Sequence, residues 1–260
     1  MQAWRSVDRA RRPEALHDHV PLVAETEPDN AKLTLTGEFE LILPGRRLAI
    51  PHSAERVLAY LALANRPIAR SHLAGALWLD SSDQHAAGNL RTVLWRLHRA
   101  GVNVVYGGED RLELRGVVVD LNLLLDLARR LVRQPDPDDL TRLPLLIGCG
   151  DVLPAWDEEW VVADREWFRL IRLEALERAV SALIDERRLG EAVIAAMAAI
   201  KSDPLRESAR RMLMKAYLAE GNIGDAIRCY RSYRMLLQAE FGVRPTAAMD
   251  ALLRSWCGGG

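Results

Sequence analysis

Three cysteines, Cys149, Cys229 and Cys257, are all that this 260-residue chain contains. Their number is odd, and they form neither a CxxC pair nor a Cys/His metal spacing. That excludes a disulfide framework and points to a reducing, cytoplasmic setting. No apolar run is long enough to span a bilayer, so no membrane partner is expected. The N-terminal stretch carries Arg5, Arg9, Arg11 and Arg12 without a following apolar core, which excludes a signal peptide. Net charge is nearly absent: 35 Lys and Arg against 36 Asp and Glu leave −1. Affinity for nucleic acid must therefore come from a local patch. GxSxG, Walker, GxGxxG and HExxH motifs are missing too. Asp157, Glu158 and Glu159 are adjacent and point different ways on a helix. No catalytic residue, metal or cofactor is assigned, and the chain is not expected to be an enzyme.

What is present is apolar material for real cores, 49% of the residues, in a length that suits one large or two ordinary domains. Residues 1–30 are polar, with Pro13, Pro21 and Pro28, and read as a flexible tail. From residue 31, Leu33, Leu35, Phe39, Leu41 and Leu43 alternate with polar positions. Pro44-Gly45 supplies a turn, and the pattern resumes at Leu48 to Ile50. This predicts a small antiparallel sheet of three short strands. Ser53 is placed to cap a helix over 54–64, broken at Asn65-Arg66-Pro67. Ser71 is placed to cap a short helix over 72–78.

Residues 85–100 predict the third helix. With Leu90 as reference and about 100° per residue, Ala86, Ala87, Leu90, Val93, Leu94 and Leu97 share one apolar arc. His85, Thr92, Arg96 and Arg99 lie opposite, with Asn89 and Arg91 on the flanks. The stretch has three arginines and no acidic residue. An ordinary solvated basic face would look the same taken alone, but its neighbours add weight. After Gly101, two strand-like runs joined by Gly107-Gly108-Glu109-Asp110 predict a hairpin. Sheet, three helices and hairpin is the order of a winged helix-turn-helix of the response-regulator output type. The last helix of such a fold enters the major groove.

Base reading is assigned to Asn89, Thr92 and Arg96, since Asn suits adenine and Arg suits guanine. Capping at the helix start is the other reading of Asn89. Arg91 and Arg99 are assigned to phosphate or to plain solvation. Arg70, Ser71 and His72 open the second helix, whose N-terminal N–H groups suit a phosphate. Arg111, with Arg115, lies on the hairpin, although Glu109 and Asp110 at its tip oppose deep minor-groove insertion. Trp95 falls on the outward side of the helix and is expected to pack against the hairpin rather than stack on a nucleotide.

The second half, 118–257, reads as all helix: 118–135 with Asp120 as cap, 138–147, a long helix over 161–187, then 189–201, 205–220, 223–239 and 246–256. Val162, Trp167, Leu170, Ile171, Leu173, Leu176, Val180 and Leu183 mark the long helix's apolar positions. The tryptophans of GCGDVLPAWDEEW are expected to pack. Leu189-Gly190-Glu191-Ala192-Val193 and Ile223-Gly224-Asp225-Ala226-Ile227 match in character at an offset of 34 residues, the tetratricopeptide period. Such repeats stack into surfaces that bind proteins or peptides. The small residues of both segments suit close helix packing. The fold class is thus mainly α: a winged helix-turn-helix over 31–117, then a tetratricopeptide-like domain over 118–257.

Both halves together resemble one family, the Streptomyces antibiotic regulatory proteins, which join a winged helix to a bacterial transcriptional activation domain. The resemblance covers 31–256. It rests on Ala76 to Trp78 (ALW), Ala86 to Gly101 (AAGNLRTVLWRLHRAG), Leu153 to Val161 (LPAWDEEWV) and Arg172 to Val180 (RLEALERAV). It continues from Asp203 to Thr246 with the Asp-Pro-Leu-Arg-Glu, Leu-Met, Ala-Gly and Gly-x-x-Pro pattern. Nothing C-terminal resembles the ATPase or sensor domains of larger relatives, so the small form is expected. The resemblance implies an activator of a biosynthetic gene cluster that binds direct repeats in double-stranded DNA as a homodimer or as side-by-side protomers, and that recruits RNA polymerase. A protein-interaction adaptor without DNA readout is the alternative, and it would lack salt-sensitive duplex affinity.

Overall fold

The computed structural model describes residues 30–257. The N-terminal tail, apart from Asn30, lies outside the described residues. Strands β1 (Ala31–Thr34), β2 (Glu40–Leu43) and β3 (Arg46–Leu48) form the expected antiparallel sheet, turning at Pro44-Gly45. Leu33, Leu35, Leu41 and Leu43 are buried, as their alternation requires. The sheet has a fourth strand that the sequence reading missed. β7 (Val117–Val119) lies parallel to β1, in the order β3-β2-β1-β7. Val118 and Val119, read as the start of a helix, are therefore strand. A parallel pair needs a long crossover, and the whole helical trio with its hairpin supplies it.

That trio is α1 (His52–Ala64), α2 (Arg70–Leu77) and α3 (Asp83–Arg99). Two expected caps are corrected. Helix α1 starts after Pro51 and α2 after Ala69, and neither has a side-chain cap, so Ser53 and Ser71 sit inside the helices. Strand β4 (Ile68–Ala69) feeds directly into α2 and leaves no loop position for a capping serine. Helix α3 starts two residues earlier than expected, capped by Ser82, whose hydroxyl accepts the His85 N–H at 3.4 Å. Its buried residues are Ala86, Leu90, Val93 and Leu97, whereas Ala87 is exposed. The hairpin strands β5 (Val105–Tyr106) and β6 (Arg111–Leu114) complete a second sheet, in the order β4-β6-β5.

The second half is helical: α4 (Asp120–Arg133), α5 (Pro137–Gly148), α6 (Glu159–Asp185), α7 (Leu189–Ser202), α8 (Glu207–Glu220), α9 (Ile223–Phe241) and α10 (Ala247–Cys257). Helices α6 to α9 pack in succession, and the whole is a winged helix followed by a tetratricopeptide-like array. Helices α7 and α9 begin at Leu189 and Ile223, in phase with the repeat. Ala192 and Ala226 make the close contacts, fully buried, but Gly190 and Gly224 are exposed and do not. On α6, Val162 and Leu170 are exposed rather than core. Arg172 is buried there because its guanidinium donates to the terminal carbonyls of α5, Leu146 at 2.8 Å and Ile147 at 3.2 Å.

One hydrophobic cluster runs through both halves, and polar contacts seal the junction. Asp120 lies at the first position of α4 and accepts the N–H groups of Leu121 at 2.7 Å, Leu35 at 2.8 Å and Thr36 at 3.0 Å, together with the Thr36 hydroxyl. The expected cap is corrected as well: Val119 is the N-cap and has no side-chain cap, and Asp120, inside the helix, ties the segment just after β1 to α4. Leu153 N–H donates to Leu35 at 2.9 Å, and Gly37 N–H to Asp151 at 2.8 Å. The tryptophans pack, as expected, and do so across the junction. Trp156 stacks with Phe39 (6.0 Å between centroids) and meets His52 edge-on (4.7 Å), while Trp160 lies 5.1 Å from Tyr60. Arg56 pairs with Glu158 at 2.9 Å beside them.

Candidate nucleic-acid interface

Helix α3 organises the site. Its buried stripe sits against the core, which turns Asn89, Arg91, Thr92, Arg96 and Arg99 outward, and all five are exposed. Helical spacing sorts them into two rows. Asn89, Thr92, Arg96 and Arg99 follow one another on one side, and Arg91, Trp95 and Arg99 on the other. Thr92 turns its hydroxyl proton back to the Gly88 carbonyl at 3.0 Å and so presents an acceptor oxygen outward. Asn89 lies in the second turn and makes no cap. The arginines of α3 have no carboxylate partner among the described residues. Arg130, Arg169, Arg188 and Arg206 of the helical half, by contrast, are all held in ion pairs. A guanidinium left exposed and unpaired keeps its five donors for an incoming anion.

Trp95 does not pack on the hairpin. It is 56% exposed, with the Arg99 guanidinium 4.8 Å above its ring. The side of α3 that faces the hairpin carries Leu94, Leu97 and His98, which border a cleft shared with Val105 and Tyr106. Trp95 lies about 100° round the helix from Leu94 and so turns out of that cleft.

The first turn of α2 is partly engaged already. Arg70 is half-buried, and its backbone N–H donates to Asp110 at 2.8 Å and its Nε to Gly108 at 3.0 Å. Arg70 therefore anchors the wing, which takes one of the N–H groups expected to receive a phosphate. Ser71 and His72 remain exposed, with a His72 ring nitrogen 2.9 Å from the Tyr60 hydroxyl. Arg111 is exposed on β6, and Arg115 is paired with Glu113. Sequence reasoning passed over Arg46, which donates to the Ala100 carbonyl at 2.8 Å and closes the C-terminus of α3. Nothing local signals that contact, since 54 residues separate the partners.

The wing turn depends on Gly107, whose φ is +154° and whose added Cβ would lie 2.0 Å from the Arg111 carbonyl oxygen. Gly108 has open space in the same place. Gly107→Ala is expected to destabilise the chain by about 2 kcal/mol and to dislodge the wing, with Gly108→Ala close to neutral. Thermal unfolding of the two variants checks this.

Among the described residues no group of three or more His, Cys, Asp or Glu side chains is disposed to hold a metal. Burial pushes the Cys149 and Cys229 thiols up, away from the reactive thiolate. No described helix is long and apolar enough to cross a membrane.

Comparison with known proteins adds the following. The model of the bacterial transcriptional activator domain matches residues 121–255. The regulatory protein AfsR of Streptomyces coelicolor is 28% identical over 242 residues, covering 88% of this chain and 24% of that protein. AfsR of Streptomyces griseus is 27% identical over 257 residues, covering 94% and 26%. The chain thus spans about a quarter of the length of these curated relatives. Among solved structures, Mycobacterium tuberculosis EmbR, in complex with a low affinity phosphopeptide, has the same fold. Its TM-score is 0.71 at 19% identity, over 88% of this chain and 65% of that one.

Proposed function

The chain belongs to the bacterial transcriptional activator domain family, and from that premise we propose that it is a sequence-reading, DNA-binding transcriptional activator. Helix α3 enters the major groove, with Asn89, Thr92 and Arg96 at base edges and Arg91 and Arg99 at phosphates. Ser71 and His72 on α2 and Arg111 on the wing flank the duplex. Arg70 acts by holding the wing. Two protomers, as a homodimer or side by side, occupy a direct repeat near a promoter, and the helical array touches the partner protomer or RNA polymerase. The protein works in the cytoplasm, without a catalytic step or cofactor. The resemblance to antibiotic regulatory proteins, with AfsR as a relative, supports control of a secondary-metabolite gene cluster.

One observation carries the DNA reading. The exposed face of α3 holds three arginines without a carboxylate partner among the described residues, in a chain of net charge −1. The test is selection of duplexes from a random pool, followed by affinity against salt. Neutralising about four phosphates implies a fall of roughly 100-fold between 50 and 200 mM salt. Enrichment of a spaced direct repeat with that slope is the expected result. Little duplex affinity at any salt would favour the adaptor, with the helical array as its binding surface.

A further inference from the structure

Trp95 is a large apolar side chain set among charged ones. It stands on the outer face of α3, 56% exposed, among Arg91, Thr92, Arg96 and Arg99. Its ring carries the Arg99 guanidinium at 4.8 Å, one helical turn further on. We propose that Trp95 is a positioning residue: its indole holds Arg99 in place to engage one DNA backbone phosphate, where α3 rises out of the groove. The inference rests on the DNA reading above.

Three features of the helix support it. First, Trp95 and Arg99 follow Arg91 at helical spacing on α3, the row assigned to phosphates rather than that of Asn89, Thr92 and Arg96, so they meet the sugar-phosphate wall. Phosphate contacts there set the register of the protein on the duplex. Second, the C-terminal end of a helix carries partial negative charge and repels a phosphate. A cation must stand outboard of it. Arg46 already occupies the Ala100 carbonyl, and of the two exposed arginines in the last turn, Arg96 and Arg99, Arg99 stands nearer the helix end. Third, a guanidinium in the last turn is drawn to the free terminal carbonyls. Stacking on the indole holds it away from them and removes rotamer freedom before DNA arrives.

The test uses the full chain and its selected duplex, with backbone phosphates replaced one at a time by neutral methylphosphonate. The parent is expected to lose about tenfold in affinity at one phosphate beside the α3 footprint, the scale of one charge-assisted hydrogen bond. Arg99→Ala and Trp95→Ala should each weaken binding and become insensitive at that phosphate alone. The double variant should be no weaker than Arg99→Ala, and Trp95→Phe should retain most of the sensitivity. Base preference should stay the same throughout. Because Trp95 is exposed, the variants are expected to keep the parent's circular dichroism. A Trp95→Ala chain with the parent's phosphate pattern, additive effects in the double variant, or a changed base preference would each overturn the proposal. If the parent itself binds no duplex, the DNA reading fails and the inference falls with it, a result visible before any variant is made.

Discussion

Arg91→Ala/Arg96→Ala is expected to bind the selected duplex roughly 100-fold more weakly than the parent, from about 1–3 kcal/mol per lost contact. The two positions are about 140° apart around α3, so the pair addresses both margins of the exposed face rather than one. Arg96, in the row of Asn89 and Thr92, is expected to relax preference at one base position. Arg91, in the row of Trp95, should weaken all sequences alike and reduce the salt slope by about one. Both side chains are exposed and have no carboxylate partner among the described residues, so their removal leaves the fold intact. Equal affinity of the double variant and the parent, with unchanged thermal unfolding, would remove α3 from the interface.

The largest stability effect is expected at the junction. Asp120→Ala deletes an acceptor that serves Leu121, Leu35 and Thr36 N–H and the Thr36 hydroxyl. Leu35 is fully buried, and its N–H has no water to turn to. Loss of a charged acceptor with several donors costs about 3 kcal/mol, which lowers the melting temperature by roughly 5–10 °C in a chain of this size. Asp120→Asn keeps one carbonyl acceptor and should recover part of the loss. The same contacts join the segment just after β1 to α4, so the unfolding of the two halves should separate in Asp120→Ala. A single transition at the parent's temperature would show that the buried cluster holds the halves without Asp120.

Some of the site could be read along the chain. The buried stripe of α3, Ala86, Leu90, Val93 and Leu97, is set by 3.6-residue periodicity, a local property, and the outward direction of Asn89, Arg91, Thr92, Arg96 and Arg99 follows from it. The 34-residue offset likewise placed the starts of α7 and α9, because each repeat is one supersecondary unit. Where the reading slipped, a neighbour distant in sequence had intervened. Ser53 and Ser71 look like caps, yet Pro51 and the pairing of β4 with β6 bring the backbone into α1 and α2 a residue or two earlier. Val117–Val119 runs into a helical pattern, and only the edge of β1 makes it a strand.

The amino-acid sequence by itself determined the order of the helices, and the buried stripe and basic outer face of α3, since these depend on residues within a few turns of one another. Tertiary structure alone decided what the polar side chains do. It gave Arg70 to the wing at Gly108, Asp120 to Leu35 and Arg46 to the end of α3. It also left Trp95 in the open beneath Arg99. Hydrogen bonds and ion pairs are directional and short in range, and their partners here lie 38 to 85 residues apart. Only a folded chain brings such groups within reach.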